Sequence, residues 1–400
     1  MNRLRRFALI SALIITLLPL TRYARAYEGN GPTSAGKAEP ALTVATGVPE
    51  AGATAETENA LPENAAPEKT KIQTAIPGAD VLLDGHRIVN LLDDFQAFLD
   101  ASKGVKNIRR QRTMWSRLVE NKNPDYFNKA VYRNADMDTR RAMLDGFLQA
   151  LPGRADSIRD FNKRAAQTVV DAMIDFKARF PDYTQQRDIY IGPSLFTFDG
   201  AVRPVSNDLG ILDTLCLGAD VLSGYSEDQL KITIVHELFH LYNFKFLFGG
   251  IYQLTPNGMV FQQDIMNRLI AAYVPLMVEG MAVAASQAIY PDRPLTMYLH
   301  LSADELDAQQ EDMSRNALFF LNMMKIGAVP SQYEVWFSGE EEGIPRRGGY
   351  LLGYEAVRRA LAGESLESLA RLSPSELGQQ ADTELSAMVT DKLFVLSEKD

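Results

Sequence analysis

Cysteine is almost absent from this chain, and histidine and tryptophan are scarce. Among 400 residues there are one cysteine (Cys216), four histidines and two tryptophans. A single cysteine excludes an intrachain disulfide, and it excludes the zinc and iron–sulfur sites that several thiolates build. Any metal site in this protein must therefore be built from histidine and carboxylate side chains.

The chain also lacks a basic excess. Its 41 Lys and Arg residues are outnumbered by 51 Asp and Glu residues, and the formal net charge is -10. Nucleic-acid binding needs a basic face that neutralises phosphates, so we expect no nucleic-acid partner. With 46% hydrophobic and 23% charged residues, the composition is that of a globular protein.

The first 26 residues are typical of a secretory signal peptide. Arg3, Arg5 and Arg6 precede an apolar run over Phe7–Leu20, and Ala24-Arg25-Ala26 supplies a cleavage site with small residues. The apolar run has about 14 residues, whereas a membrane-spanning helix needs about 20. We therefore expect cleavage, a periplasmic or secreted protein, and no membrane span in the mature chain. An uncleaved anchor is the alternative.

Residues 27–80 have the composition of a disordered linker rich in Ala, Pro and Glu. After Tyr27 this stretch has no aromatic side chain and few large aliphatic ones. It cannot bury enough apolar surface to offset the entropy that is lost on ordering. A tail that binds the cell wall or a partner is the alternative interpretation.

Residues 81–185 are predicted to form a helical N-terminal subdomain. Apolar residues recur there at three- and four-residue spacings over 88–99, 140–151 and 158–180. Pro181 is predicted to end the third helix.

Residues 186–400 are predicted to form a second, catalytic subdomain that begins with a small sheet. Short β-rich runs at 188–191 and 195–198 are bounded by glycine and proline, and 215–222 is a further candidate strand. Helical patterns follow. The predicted fold class is therefore α+β, mainly helical, with a small β-sheet beside the helix that carries the candidate active site.

That helix is predicted to begin after Gly224. Ser226, followed three residues later by Gln229, forms a capping box, and the apolar pattern continues towards Gly249. Within the helix lies His236-Glu237-Leu238-Phe239-His240, an HExxH motif.

The spacing of the two histidines predicts a metal site. Residues four apart on a helix lie about 40° from each other around its axis, so the imidazoles of His236 and His240 can reach one ion. Glu237 lies beside them, where it can take a proton from metal-bound water as a general base. The alternative is that both histidines are core residues, but this leaves the Glu237 carboxylate on an apolar helix without a partner.

A third ligand is required, and Glu279 is the candidate. It is a lone acid in an apolar helical run over 274–289, and a carboxylate is a common zinc ligand. Competing ligands are Asp264, in a polar stretch typical of a helix surface, and His300, in a predicted loop. His86 lies far upstream and is interpreted as structural.

The HExxH motif with the downstream Glu279-Gly280-Met281-Ala282 resembles the gluzincin zinc metallopeptidases. It is more similar to little-characterised bacterial families of predicted zinc-dependent proteases, which also carry a later Gly-Tyr-x-x-Gly-Tyr segment, here residues 349–354. The resemblance covers roughly residues 186–360.

The resemblance implies the roles of four residues. His236, His240 and Glu279 would bind Zn²⁺, and Glu237 would be the general base. A gluzincin-like fold, with the sheet beside the HExxH helix, is implied in the same way.

Two features depart from the pattern of thermolysin-like gluzincins. Those enzymes carry an acid four residues after the glutamate ligand, where this chain has Val283, so the partner of the zinc histidines is unidentified. There is also no later catalytic histidine unless His300 serves. A tyrosine is then the natural donor to the oxyanion; Tyr350 is the favoured candidate and Tyr354 the alternative.

Together these features predict a secreted or periplasmic zinc peptidase that acts on peptide or protein substrates. Glu237 would transfer a proton from a zinc-activated water to the leaving amine. In gluzincins the strand before the metal helix is a sheet edge that holds the peptide by backbone pairing, and the resemblance implies this role for the strand at 215–222. The alternative, favoured by the unidentified histidine partner and by the long linker, is an envelope binding or scaffold protein with a vestigial or structural zinc site.

We expect the mature chain to begin at or near Tyr27, because the Ala24-Arg25-Ala26 site follows a short apolar run. The intact mass of the exported protein measures this directly. A mass that still includes residues 1–26 would contradict cleavage and would indicate an anchored protein.

Overall fold

The computed structural model describes most of the chain from Val81 to Ser397. The described residues are 81–83, 86–184, 188–207, 210–247, 252–255, 258–261, 273–325, 336–337 and 343–397. The predicted signal peptide over 1–26 and the predicted linker over 27–80 lie outside them.

The fold is mainly helical with a small mixed sheet, which confirms the predicted α+β class. The main described helices are α1 Leu92–Ser102, α2 Ile108–Leu118, α3 Met137–Ala150, α4 Ala155–Arg179, α5 Ala219–Leu222, α6 Glu227–Leu247, α7 Tyr273–Ile289, α8 Leu295–Leu299, α9 Ala303–Glu311, α10 Met313–Lys325, α11 Gly348–Ala360, α12 Leu366–Ala370 and α13 Pro374–Ser397. A π-helical segment, Tyr126–Val131, lies between α2 and α3. Among the described residues, no helix is long and apolar enough to cross a membrane.

Seven strands are described, and five of them form one sheet. They are β1 Val81–Leu83, β2 His86–Asn90, β3 Ile189–Gly192, β4 Gly200–Asn207, β5 Gly210–Gly218, β6 Tyr252–Thr255 and β7 Gly258–Phe261. The sheet has the order β1-β2-β3-β5-β4. Strand β3 is parallel to β2 and to β5, whereas β1 and β4 are antiparallel to their neighbours. Strands β6 and β7 form a separate antiparallel pair.

The predicted N-terminal helices are present in part. The patterns over 140–151 and 158–180 correspond to α3 and α4, and α4 ends just before Pro181. The pattern over 88–99 is helical only from Leu92, where α1 begins.

Residues 86–90 are strand β2, so the helix predicted there is wrong. The side chains of His86, Ile88 and Asn90 are buried and those between them are half-buried, which is the two-residue period of a strand. A short apolar run such as Ile88-Val89 does not distinguish a strand from a helix.

The strand predicted at 188–191 is confirmed as β3, but the one predicted at 195–198 is wrong. Leu195 and Phe196 have φ angles of 55° and 59°, in the left-handed region that strands do not use. The buried carboxylate of Asp220 accepts hydrogen bonds from the N–H groups of Ser194 and Phe196. This side chain, and not a neighbouring strand, pairs with the backbone of the turn.

The strand predicted at 215–222 is confirmed over 215–218 as part of β5, whereas 219–222 form the short helix α5. The prediction that this strand is a sheet edge is wrong. Strand β5 lies between β3 and β4, and the strand at that end of the described sheet is β4.

The predicted boundary between 81–185 and 186–400 stays a prediction. Strand β2 of the first segment pairs with β3 of the second, with Ile88 opposite Ile189. Buried apolar side chains from both segments belong to one hydrophobic cluster.

Helices α7 and α11 cross at a pair of glycines. A β-carbon at Gly280 in α7 would lie 2.1 Å from the carbonyl oxygen of Gly353 in α11. One at Gly353 would lie 2.1 Å from the carbonyl oxygen of Leu276. Only glycine allows the two backbones to approach this closely, and the contact fixes α11 against α7.

We expect Gly353→Ala to lower the free energy of unfolding by about 1–3 kcal/mol or more, because a helix backbone has to move to admit the methyl group. The matched control is Gly378→Ala in α13, where a β-carbon meets nothing within 4 Å. That change should be neutral or should stabilise the protein by up to about 1 kcal/mol. Chemical denaturation measures both values, and equal stability of Gly353→Ala and wild type would contradict the close crossing.

Candidate metal centre

Helix α6 carries two of the predicted ligands, and its N-terminus has the predicted capping box. The Ser226 hydroxyl accepts a hydrogen bond from the Gln229 N–H at 3.2 Å, and the Gln229 side chain accepts one from the Ser226 N–H at 3.0 Å. Most residues from Leu230 to Leu247 are buried. A helix that is apolar on all sides belongs in the core, which holds its polar residues in fixed positions.

The three predicted ligands, His236, His240 and Glu279, lie together. Nε2 of His236 is 2.9 Å from Oε2 of Glu279, and Nε2 of His240 is 3.3 Å from Oε1. The two Nε2 atoms are 3.1 Å apart. All three residues offer a ligand atom within 4.8 Å of the others, so this buried group could hold a metal ion.

The charges of these three groups depend on one another. Burial raises the pKa of Glu279, but His240 and His236 outweigh it and hold that pKa at about 2. Burial lowers the pKa of His236, whereas the carboxylate of Glu279 overcomes burial at His240 and raises its pKa. A negatively charged carboxylate therefore lies against two imidazoles, one of which favours the protonated form.

The donor set and its spacing fit a tetrahedral metal ion such as zinc. Ligand atoms about 2.0–2.2 Å from a tetrahedral ion lie about 3.3–3.6 Å from one another, slightly more than the separations between these donors. Oε1 of Glu279 is buried, and Nε2 of His240 lies 3.3 Å from it without a well-formed hydrogen bond. A buried carboxylate oxygen of this kind can accept a metal ion instead. Two imidazoles and one carboxylate would leave a fourth position open.

Glu237 lies beside these ligands and points into the same cleft. Burial raises its pKa to about 8, assisted by the negative charge of Glu279 and opposed by His240. The first residue of β4 packs against it: a β-carbon at Gly200 would lie 2.6 Å from Cγ of Glu237. The absence of a side chain at Gly200 therefore makes room for this carboxyl group.

The cleft is open to solvent on the side of His236, whose side chain keeps 12% of its surface exposed. Its lining is mostly polar and includes Asp199, Thr233, Tyr298, His300, Arg347 and Tyr350 as well as His236 and Glu237. Solvent could thus reach the metal ligands and Glu237 together.

His300 lines the cleft but does not belong to the ligand cluster. It follows α8 with a left-handed φ of 52°, and its ring centre lies 5.2 Å from that of Tyr225. The other alternative ligand, Asp264, lies outside the described residues. His86 is buried in β2 and stacks on Tyr183 at 5.6 Å, which agrees with the structural interpretation.

Tyr350 and Tyr354 lie in different environments. Tyr350 lines the cleft, with its ring centre 6.3 Å from that of His236. Burial raises its pKa well above the usual value, so its hydroxyl keeps a proton that it can donate. The hydroxyl of Tyr354 instead donates to Oε1 of Gln287 at 2.7 Å.

No described acid orients the ring of His240. Val283, four residues after Glu279, is buried, and Nδ1 of His240 has no hydrogen-bond partner among the described residues. The ring of Phe244 stacks on that of His240 at 5.7 Å, with an angle of 17° between the planes. Stacking one helical turn away therefore restrains this imidazole.

Sequence analysis does not single out Asp199 or Arg347, which also line the cleft. Asp199 accepts hydrogen bonds from the Tyr225 hydroxyl at 2.9 Å and from the Gly200 N–H at 2.8 Å. It comes from the turn before β4, where no motif marks it. The signal for Arg347 is its place directly before Gly348-Gly349-Tyr350.

Comparisons with protein-family models, with curated proteins and with solved structures find no match to this chain. The likeness to gluzincins therefore depends on the sequence motifs and on the buried His-His-Glu group.

We expect Glu279→Gln to weaken zinc binding by more than about 100-fold, because the substitution removes a charged ligand. Loss of a residue that only orients a ligand already costs roughly 10–100-fold in affinity. The fold should persist, since the substitution keeps the volume of the side chain. The matched control is Glu237→Gln, which changes an acid in the same cleft that is not a ligand. Competition with a chromogenic chelator measures both affinities; equal affinity in the two variants would move the third ligand elsewhere.

Proposed function

We propose that this protein is a secreted or periplasmic zinc-dependent hydrolase of the gluzincin type, which cleaves peptide bonds. The observation that supports the proposal is the arrangement of His236, His240 and Glu279 with Glu237 beside them in an open cleft. A purely structural zinc site is closed by four protein ligands, whereas this group supplies three.

Zinc in this group would activate a water molecule and polarise the scissile carbonyl. Glu237 would accept the proton from the attacking water and deliver it to the leaving amine. Its pKa of about 8 in the buried cleft would be lowered by a nearby cation, because an opposite charge favours the carboxylate. Glu237 would then act as a base at neutral pH.

Tyr350 would stabilise the oxyanion that forms on the scissile carbonyl. It lines the cleft as a protonated, buried hydroxyl, and a fixed donor of this kind binds developing negative charge. Tyr354 is less suited to the role because its hydroxyl is bonded to Gln287.

A second candidate is an envelope scaffold or binding protein with a vestigial zinc site. Nδ1 of His240 has no partner in the described part of the chain, which favours this alternative, because histidine ligands are usually oriented by a hydrogen bond from their second nitrogen. This alternative predicts zinc binding without hydrolysis.

We expect Glu237→Gln to retain zinc and to lower the rate of peptide hydrolysis by roughly 10²–10⁴-fold, because an amide cannot take up a proton at neutral pH. Zinc content and turnover of a fluorogenic peptide mixture are measured on the same sample. A variant with full zinc and the wild-type rate would contradict the mechanism. No hydrolysis by either protein would favour the scaffold.

We expect Tyr350→Phe to lower kcat by roughly a hundredfold or more, the usual effect of losing one oxyanion donor. Tyr354→Phe is the matched control and should leave kcat close to that of wild type. Steady-state kinetics distinguish the two variants. The reverse order of effects would assign the role to Tyr354, and unchanged kinetics in both would remove tyrosine from the mechanism.

A further inference from the structure

Two adjacent arginines precede helix α11, and their surroundings differ. Arg346 donates to both carboxylate oxygens of Glu305, at 2.7 and 2.8 Å, and to the carbonyl oxygen of His300 at 2.9 Å. The guanidinium of Arg347 has no ion pair or hydrogen bond among the described residues, and its Nε atom is buried without a partner. Unsatisfied buried donors are rare in native proteins, so this Nε–H group of Arg347 is able to take a further acceptor.

The unpaired guanidinium belongs to the candidate active site. Its central carbon lies 3.9 Å from the centre of the Tyr350 ring, and Tyr350 in turn approaches the ring of His236. Arg347, Tyr350 and His236 line the same cleft. A group bound by Arg347 would therefore lie close to the metal ligands.

The position of Arg347 is fixed by its own backbone and by its neighbours. The residue forms the N-cap of α11 with a left-handed φ of 56°, a conformation that a non-glycine residue rarely adopts. Helix α11 is held against α7 by the Gly280–Gly353 contact, and the Tyr350 ring attracts the guanidinium through its π face. Arg347 is thus held in place before a ligand arrives.

No ion pair joins Arg347 to the other described charged groups of the cleft, although its positive charge helps to lower the pKa of Asp199. Burial and the arginine lower the pKa of His300 to about 4, although Asp199 opposes the shift, so His300 is neutral near neutral pH. Asp199 already accepts hydrogen bonds from Tyr225 and Gly200. Among the described residues that line the cleft, Arg347 is the one with a permanent positive charge.

We propose that Arg347 binds a carboxylate of the substrate, so that the enzyme prefers peptides with a negative charge close to the scissile bond. A guanidinium forms two parallel hydrogen bonds with a carboxylate, which provide both affinity and orientation. The carboxylate is either the C-terminus of the peptide or an Asp or Glu side chain, since both have the same chemistry. This inference depends on the proposed zinc peptidase function and adds a substrate class to it.

The test uses three peptide-like hydroxamates that share one zinc-binding group. The first ends in a free C-terminal carboxylate, the second ends in a primary amide, and the third has the amide end and an aspartate side chain. Their affinities for the zinc-loaded mature protein are measured by calorimetry, so no turnover is needed. We expect at least one carboxylate probe to bind about tenfold or more tightly than the amide, as for a charge-assisted bidentate contact. The tighter of the two shows which carboxylate is recognised.

Three variants show whether Arg347 causes the preference for carboxylate probes over the amide probe. Arg347→Met should reduce the ratio of carboxylate to amide affinity to about one. Arg347→Lys should keep part of this ratio, because a lysine retains the positive charge but cannot form the two parallel hydrogen bonds of a guanidinium. Arg346→Met removes the same charge one residue away and should retain the wild-type ratio. Because each ratio is taken within one protein, a general loss of affinity or stability cancels.

The possible failures are distinguishable. Equal affinity of the wild type for all three hydroxamates, or a ratio that survives in Arg347→Met, would overturn the role of Arg347 while leaving the zinc site intact. If the wild type bound no hydroxamate and held no zinc, the proposed function would fail, and the substrate class with it.

Discussion

The burial of one carboxylate, that of Glu279, is the constraint on which the rest of the site depends. Its side chain is fully excluded from solvent, yet the adjacent imidazoles hold its pKa at about 2, so it is charged. An isolated charge in the core is too costly to persist without a partner. The fold must therefore bring positive charge to this carboxylate, and His236 and His240 provide the ligands through which a metal ion can supply it.

Three helices and one strand hold the groups around this carboxylate. Helix α6 places both histidines and Glu237 on one side, and the hydroxyl of Ser286 in α7 donates to the carbonyl oxygen of Ile232 in α6, which joins the two ligand helices. The glycine contact between α7 and α11 brings Tyr350 and Arg347 to the mouth of the cleft. Strand β4 closes the remaining side at Gly200. The polar cleft therefore depends on close backbone contacts, in which small residues are as important as the ligands.

The sequence predicts the centre of the site better than its surroundings. The HExxH motif is local, so helical geometry alone places its three polar residues, and Glu279 is recognisable as a lone acid in an apolar helix. Strand β2 is too short for its two-residue period to be recognised in the sequence. The turn at 195–198 is held by the carboxylate of Asp220, which is distant in sequence, so local propensity does not predict it. Asp199 and Arg347 meet in the cleft only through tertiary packing. For that reason, the position of Arg347 before Gly348-Gly349-Tyr350 does not by itself place its charge in the cleft with His236.

The central claim is that His236, His240 and Glu279 bind one zinc ion and leave one position open. X-ray absorption at the zinc K edge, on mature protein loaded with one equivalent of zinc, tests it most directly. We expect four nitrogen or oxygen neighbours at about 2.0–2.1 Å, with the multiple-scattering signature of two imidazoles and no sulfur. Six oxygen neighbours without imidazole scattering, or zinc that fails to bind at one equivalent, would contradict the claim.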